Sequence, residues 1–188
     1  MVKKVSLVSH NLKHAERMSS LSSDPYIKAA LGLTDEQTSI EGTRGFIEFI
    51  LEEEKLGRQF SRVILNETED LIGVITLKNI DRRTNTCHIG TWIGYPYWGK
   101  GYNVLAKENI LYTAFTELGL ERVFAGAKTE NIRSQKSQEK LPYVRIDVEM
   151  QFPEEHRKLE EEVQSPCVLN VIEKKDFLRC LSPTKFDK

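Results

Sequence analysis

Val5, Leu7 and Val8, set against Ser6 and Ser9, make residues 5–9, "VSLVS", a short β-type run that predicts a strand. The apolar spacing then lengthens. Leu12, Ala15, Met18 and Leu21 recur at the spacing of one helix face. "SSDPYIKAALG" encloses a second helix, with Asp24 placed to cap it, Pro25 at its first position and Gly32 just past its end. A third lies in "TSIEGTRGFIEFILEEEKLG": Thr38 and Glu41 have capping-box spacing, and Ile40, Ile47, Ile50 and Leu51 fall on one face before Gly57. Three β-type runs follow at 60–65, 71–78 and 87–94, separated by the polar turns "NETED" and "DRRTNT". Connections this short predict an antiparallel meander.

Helical spacing returns at 104–118, where Leu111, Ala114, Phe115 and Leu118 share a stripe and Gly119 stands beyond it. A strand at 122–128 follows directly. Strand, glycine loop, helix and strand in that order form a crossover unit, so its two strands should lie parallel. A helix at 131–141 and strands near 143–150 and 167–173 complete the pattern. The charge-dense "PEEHRKLEEEVQSP" reads as a solvated loop or short helix, the least ordered part of the chain. Together these elements predict an α+β fold. Its centre is one mixed, mostly antiparallel sheet flanked by helices, in a single domain over residues 1–188.

Composition narrows the function classes. With 27 basic against 28 acidic residues, the chain as a whole has no field to draw in nucleic acid or an anionic membrane. Cys87, Cys167 and Cys180 are an odd number without a CxxC pair, which suits free thiols in a reducing compartment. No stretch approaches the roughly 20 apolar residues of a membrane helix, and the basic N-terminus "MVKKVSLVSH" lacks the apolar core of a signal peptide. A cytoplasmic protein is expected.

The glycine loop "GYPYWGKGYN" is the clearest chemical feature. Gly94, Gly99 and Lys100 fit GxxxxGK, but Gly101 stands where a nucleotide-binding loop needs a hydroxyl for magnesium. The pattern GxGxxG also fails, because Val104 takes the place of its third glycine. What remains is two small residues followed by a helix starting at Tyr102 or Asn103. The unpaired N–H groups of that first turn make either an anion site that needs no metal or an ordinary strand-to-helix turn.

The order of elements, with "LIGVITLKNID", "HIGTWIGYPYWGKGY", "AFTELGLERVFAGAKTENIRSQKSQEKLPY" and "VLNVIEKKDF", resembles the GNAT superfamily of acetyl-CoA-dependent N-acetyltransferases. Within it, the likeness is to the ribosomal-protein N-terminal (RimJ/RimL-like) branch. The family's pyrophosphate pattern, Arg/Gln-x-x-Gly-x-Gly/Ala, falls on Trp98, Gly99, Lys100, Gly101, Tyr102 and Asn103; Gly101 matches, whereas Trp98 and Asn103 depart. Its later pattern is met by Asn131, Ser134, Glu139, Lys140 and Leu141 and breaks at Pro142 and Tyr143.

The resemblance implies acetyl-CoA as acyl donor, no metal, and a primary amine as acceptor, either a peptide N-terminus or a small molecule. It places the thioester where the strand at 87–94 splays from the strand at 122–128, with pantetheine paired to backbone at Trp92, Ile93 and Gly94 and the Ile93 N–H polarising the carbonyl. Many members protonate the leaving thiolate with a Tyr, but that position is Gln138, and Ser134 matches the alternative of the ribosomal branch. His88 occupies the position of the family's general base, with Glu149, Glu154 and Glu155 as rival carboxylates. Transfer is then direct, in a ternary complex, because nothing flanking Cys87 would activate it as a nucleophile. Tyr26, Phe46 and Phe49 either wall the acceptor site or pack the core. The resemblance leaves room for a homodimer. The competing reading is a non-catalytic acyl-CoA sensor or interaction module of the same fold.

Overall fold

A computed structural model describes residues 3–181. In chain order the elements are β1 (Ser6–Val8), α1 (Ala15–Ser22), α2 (Pro25–Leu31), α3 (Asp35–Thr38), α4 (Ile40–Lys55), β2 (Phe60–Leu65), β3 (Leu71–Asp81) and β4 (Thr86–Ile93). There follow α5 (Tyr102–Thr116), β5 (Arg122–Lys128), α6 (Ile132–Glu139), β6 (Val144–Arg145), α7 (Pro153–Val163), β7 (Cys167–Glu173) and α8 (Lys174–Cys180). Seven strands form one sheet in the order β1-β2-β3-β4-β5-β7-β6. The β4–β5 pair is parallel, as a crossover requires, and β1–β2, β2–β3, β5–β7 and β6–β7 are antiparallel.

Local chemistry explains most boundaries. Asp24 accepts the N–H of Tyr26, Pro25 opens α2, and Gly32 closes it in the left-handed region at φ 68°. The expected capping box at Thr38 and Glu41 is not formed, because the short helix α3 intervenes. Thr34 boxes with Gln37 instead, Thr38 ends α3, and Ser39 caps α4 by accepting the N–H of Gly42 at 3.0 Å. Ile40, placed on the buried stripe by periodicity, is 44% exposed, since it lies in the first turn beside that cap. The expected strand at 143–150 shrinks to Val144–Arg145. Asp147 takes φ 55° and gives its N–H to the Asn170 side chain at 3.1 Å, which ends the ladder. The stretch expected to be least ordered is the eleven-residue helix α7. Pro153 opens it, Glu154 and Glu155 suit its positive end, and ion pairs such as Lys158–Glu155 and Arg157–Glu154 brace its turns.

The chain divides into two compact units, one running to Ile80 and including Gly90–Thr113, the other made of Asp81–Ile89 and everything from Ala114 onward. In the first, Met18 and Leu21 of α1 and Ile47 of α4 are buried against Val63, Leu71 and Val74 of the sheet. In the second, Leu159 of α7 is buried with Phe124, Leu169 and Val171, and each such side chain contributes about 1.5–3 kcal/mol. Register defines two faces here. His88, Phe124 and Val171 are aligned neighbours on one face, while Ile89, Ala125 and Asn170 share the other. Helix α7 packs over the His88 face, and it approaches so closely that a Cβ on Gly126 would lie 2.3 Å from Leu159 Cδ2.

Candidate active site

Within the first unit, β4 runs through a single tight turn at Tyr95–Tyr97 into the glycine loop and α5. Gly99 and Gly101 have φ of 71° and 86°, where a Cβ would be strained, so both glycines are required by the path of the backbone into the helix. The Trp98 indole N–H donates to the Ile93 carbonyl at 2.5 Å and holds the loop against the strand end. The Gly94 N–H donates to the Ile72 carbonyl at 2.8 Å, so it is engaged within the sheet. Successive N–H groups of a strand point to opposite edges, which directs the Ile93 N–H away from β3. Tyr102 fixes the helix start by donating to both carboxylate oxygens of Glu67 at 3.0 Å. Lys100 Nζ lies 5.7 Å from the Tyr97 ring centroid, and its carbonyl accepts from Lys3 at 2.7 Å.

Aromatic side chains gather beside this loop. Tyr26 of α2 stacks on Tyr95 with centroids 4.3 Å apart, and Trp98 meets Tyr95 edge-on at 5.1 Å. Tyr26, Phe46 and Phe49 are all exposed, so core packing does not account for them.

The second unit holds His88 and Ser134 on opposite faces of the same strands. His88, 4% exposed, bonds through Nε2 to Glu155 Oε2 at 2.8 Å, and Lys158 donates to the other oxygen at 2.7 Å. Burial raises the pKa of Glu155, but the hydrogen bonds from Lys158 and His88 outweigh it and hold the group below its usual value. An ionised Glu155 only accepts, so His88 Nε2 is the donor in this bond. Of the three rival carboxylates, Glu155 is therefore the histidine's partner. Glu149 accepts the Leu169 N–H at 2.7 Å, and Glu154 pairs with Arg157.

On the other face, Asn131 caps α6 by accepting the Ser134 N–H at 3.0 Å, which sets Ser134 in the first turn. Gln138, one turn on, donates to Ser134 Oγ at 3.4 Å and to the Gly126 carbonyl at 3.2 Å, while its own oxygen accepts from Asn170 at 2.7 Å. Every polar end of this buried amide is thus occupied. Sequence reasoning missed Asn170, a single asparagine inside an apolar strand; that break in the pattern was the available signal. Cys87 is buried and its thiol is pushed up to about 12 by that burial, which keeps it from acting as a nucleophile at neutral pH.

Among the described residues, no group of three or more His, Cys, Asp or Glu could hold a metal ion, and no helix is long and apolar enough to cross a membrane. Residues 4–143 match the acetyltransferase (GNAT) domain family. A curated relative, described as an uncharacterized N-acetyltransferase p20 from Bacillus licheniformis, is 30% identical over 135 residues, 71% of this chain and 75% of its own. Two solved structures share the fold. RimJ of Mycobacterium smegmatis in complex with a CoA-disulfide has a TM-score of 0.72 at 16% identity, covering 92% of this chain and 83% of that one. FdhC, described as a nucleotide-linked sugar GNAT, has a TM-score of 0.74 at 15% identity, covering 94% and 90%.

Proposed function

The chain belongs to the acetyltransferase (GNAT) domain family and is an N-acetyltransferase, and from that premise we propose direct transfer of acetyl from acetyl-CoA to a primary α-amine or another amine of low pKa. The observation that carries this reading is the placement of an oriented imidazole, His88 with Glu155, and an oriented hydroxyl, Ser134 with Gln138, on opposite faces of β4, β5 and β7. In this scheme the coenzyme's diphosphate lies on the N–H groups at the start of α5, beyond Gly99 and Gly101, and the Ile93 N–H faces the thioester oxygen.

His88 takes the proton of the attacking amine, directly or through water, and Glu155 stabilises the imidazolium that results. The C–N bond forms, the C–S bond breaks, and Ser134 Oγ hydrogen-bonds the departing thiolate. A thiol titrates at about 8.5, so a hydroxyl suffices for this leaving group. An imidazole base suits an α-amine, of pKa about 8, better than a lysine side chain at about 10.4. The resemblance to the ribosomal-protein N-terminal branch supports a protein N-terminus as one such acceptor, and FdhC, described as a nucleotide-linked sugar GNAT, supports a small molecule as another.

Thiol release from acetyl-CoA across a panel of amines tests the reading. Turnover with α-amines is expected to exceed turnover with lysine side chains. His88→Gln should lower kcat by about a hundredfold, and Ser134→Ala by less. A protein that binds CoA and releases no thiol with any amine would be a sensor, and the enzymatic reading would then be wrong.

A further inference from the structure

A chain of side-chain amides crosses the interior of the second unit and ends on Ser134. It starts at the backbone N–H of Asp147, which donates to Asn170 Oδ1 at 3.1 Å. A backbone N–H has only a proton to offer, so the oxygen of Asn170 faces it and the nitrogen faces the other way, donating to Gln138 Oε1 at 2.7 Å. That turns the nitrogen of Gln138 toward the Gly126 carbonyl at 3.2 Å, a group that only accepts, and toward Ser134 Oγ at 3.4 Å. Main-chain groups thus fix the sense of the chain at both ends, and neither buried amide can be reversed without setting donor against donor or acceptor against acceptor. Two buried amides could give way together to apolar groups of the same shape at little cost, so packing gives no reason for Asn170 between the buried Leu169 and Val171.

We propose that Gln138 and Asn170 are positioning residues for acetyl transfer: by making Ser134 Oγ an acceptor toward Gln138, they leave its one proton for the thiolate that departs with the C–S electron pair. A serine hydroxyl carries one proton and two lone pairs, and its torsion is set by what it meets. The Gln138 N–H takes a lone pair, and in doing so polarises the hydroxyl and makes its O–H a stronger donor. Ser134 is half-buried while both amides are buried, so the chain of bonds runs from the interior outward to the hydroxyl. Its last link, at 3.4 Å, is long, and it is expected to tighten as charge develops on the sulfur. This inference rests on the role of Ser134 proposed above and extends it to two residues that act through that hydroxyl.

The test is single-turnover acetyl transfer to the amine that the panel selects, with KM for acetyl-CoA measured alongside. Gln138→Met and Asn170→Leu are each made alone and in combination with Ser134→Ala. Each alone is expected to slow transfer by about tenfold while KM changes by less than about twofold. In the Ser134→Ala protein the same substitutions should slow transfer no further, because no hydroxyl remains to be aimed. A merely structural role would slow transfer by the same factor in both backgrounds. Gln138→Met, close to the original in shape, carries the test if Asn170→Leu does not fold. Wild-type rates in the single variants, or equal losses with and without Ser134, overturn the proposal alone. A wild-type rate in Ser134→Ala removes the leaving-group role of Ser134 and this proposal with it, and no thiol release by the wild-type protein overturns the enzymatic reading as a whole.

Discussion

His10 is buried with Nε2 on Ser61 Oγ at 2.9 Å, and its Nδ1 has no partner. Burial, with His14 and Arg62 adding to it, lowers its pKa from 6.5 to about 4. Between those values the unfolded chain binds more protons than the folded one, so stability present above about pH 6.5 is lost as pH falls toward 4. The loss amounts to roughly 3 kcal/mol. Denaturant titrations at pH 7 and pH 4.5 should show a larger drop for the wild-type protein than for His10→Gln, and equal drops would refute the assignment. Single residues were unevenly legible in the sequence. His88 could be placed on its strand, and Ser134 on its helix. The partners that give them chemistry, Glu155 and Gln138 with Asn170, come from distant chain segments, because strand register and helix docking decide which side chains meet.

Among the elements, the strands Phe60–Leu65, Arg122–Lys128 and Cys167–Glu173 were read with their observed bounds, since apolar runs between polar turns leave little freedom. Helix α7 was not secured, because its apolar stripe is narrow and its order comes from docking on β5 and β7. Gly126 is where that docking is tightest. Gly126→Val should push Leu159 away and destabilise the protein by about 1–3 kcal/mol. It should also loosen Glu155 from His88, lowering kcat and shifting its pH profile. A fold as stable as wild type by denaturant unfolding would show that α7 does not seat there.

For the whole molecule, neither compact unit is a continuous piece of chain. Strand β4 and helix α5 each begin in one unit and end in the other. Elements shared in this way should make the molecule unfold in one cooperative step. The residues that report on this are already sorted. Both tryptophans, Trp92 and Trp98, fall in the unit of Gly90–Thr113, and all three cysteines, Cys87, Cys167 and Cys180, fall in the other. Indole fluorescence and alkylation of the two buried thiols should therefore give the same midpoint in denaturant, and separated midpoints would mean that the halves melt on their own. The chain arrives with a lamp in one half and a latch in the other, and no dye has to be attached to watch both.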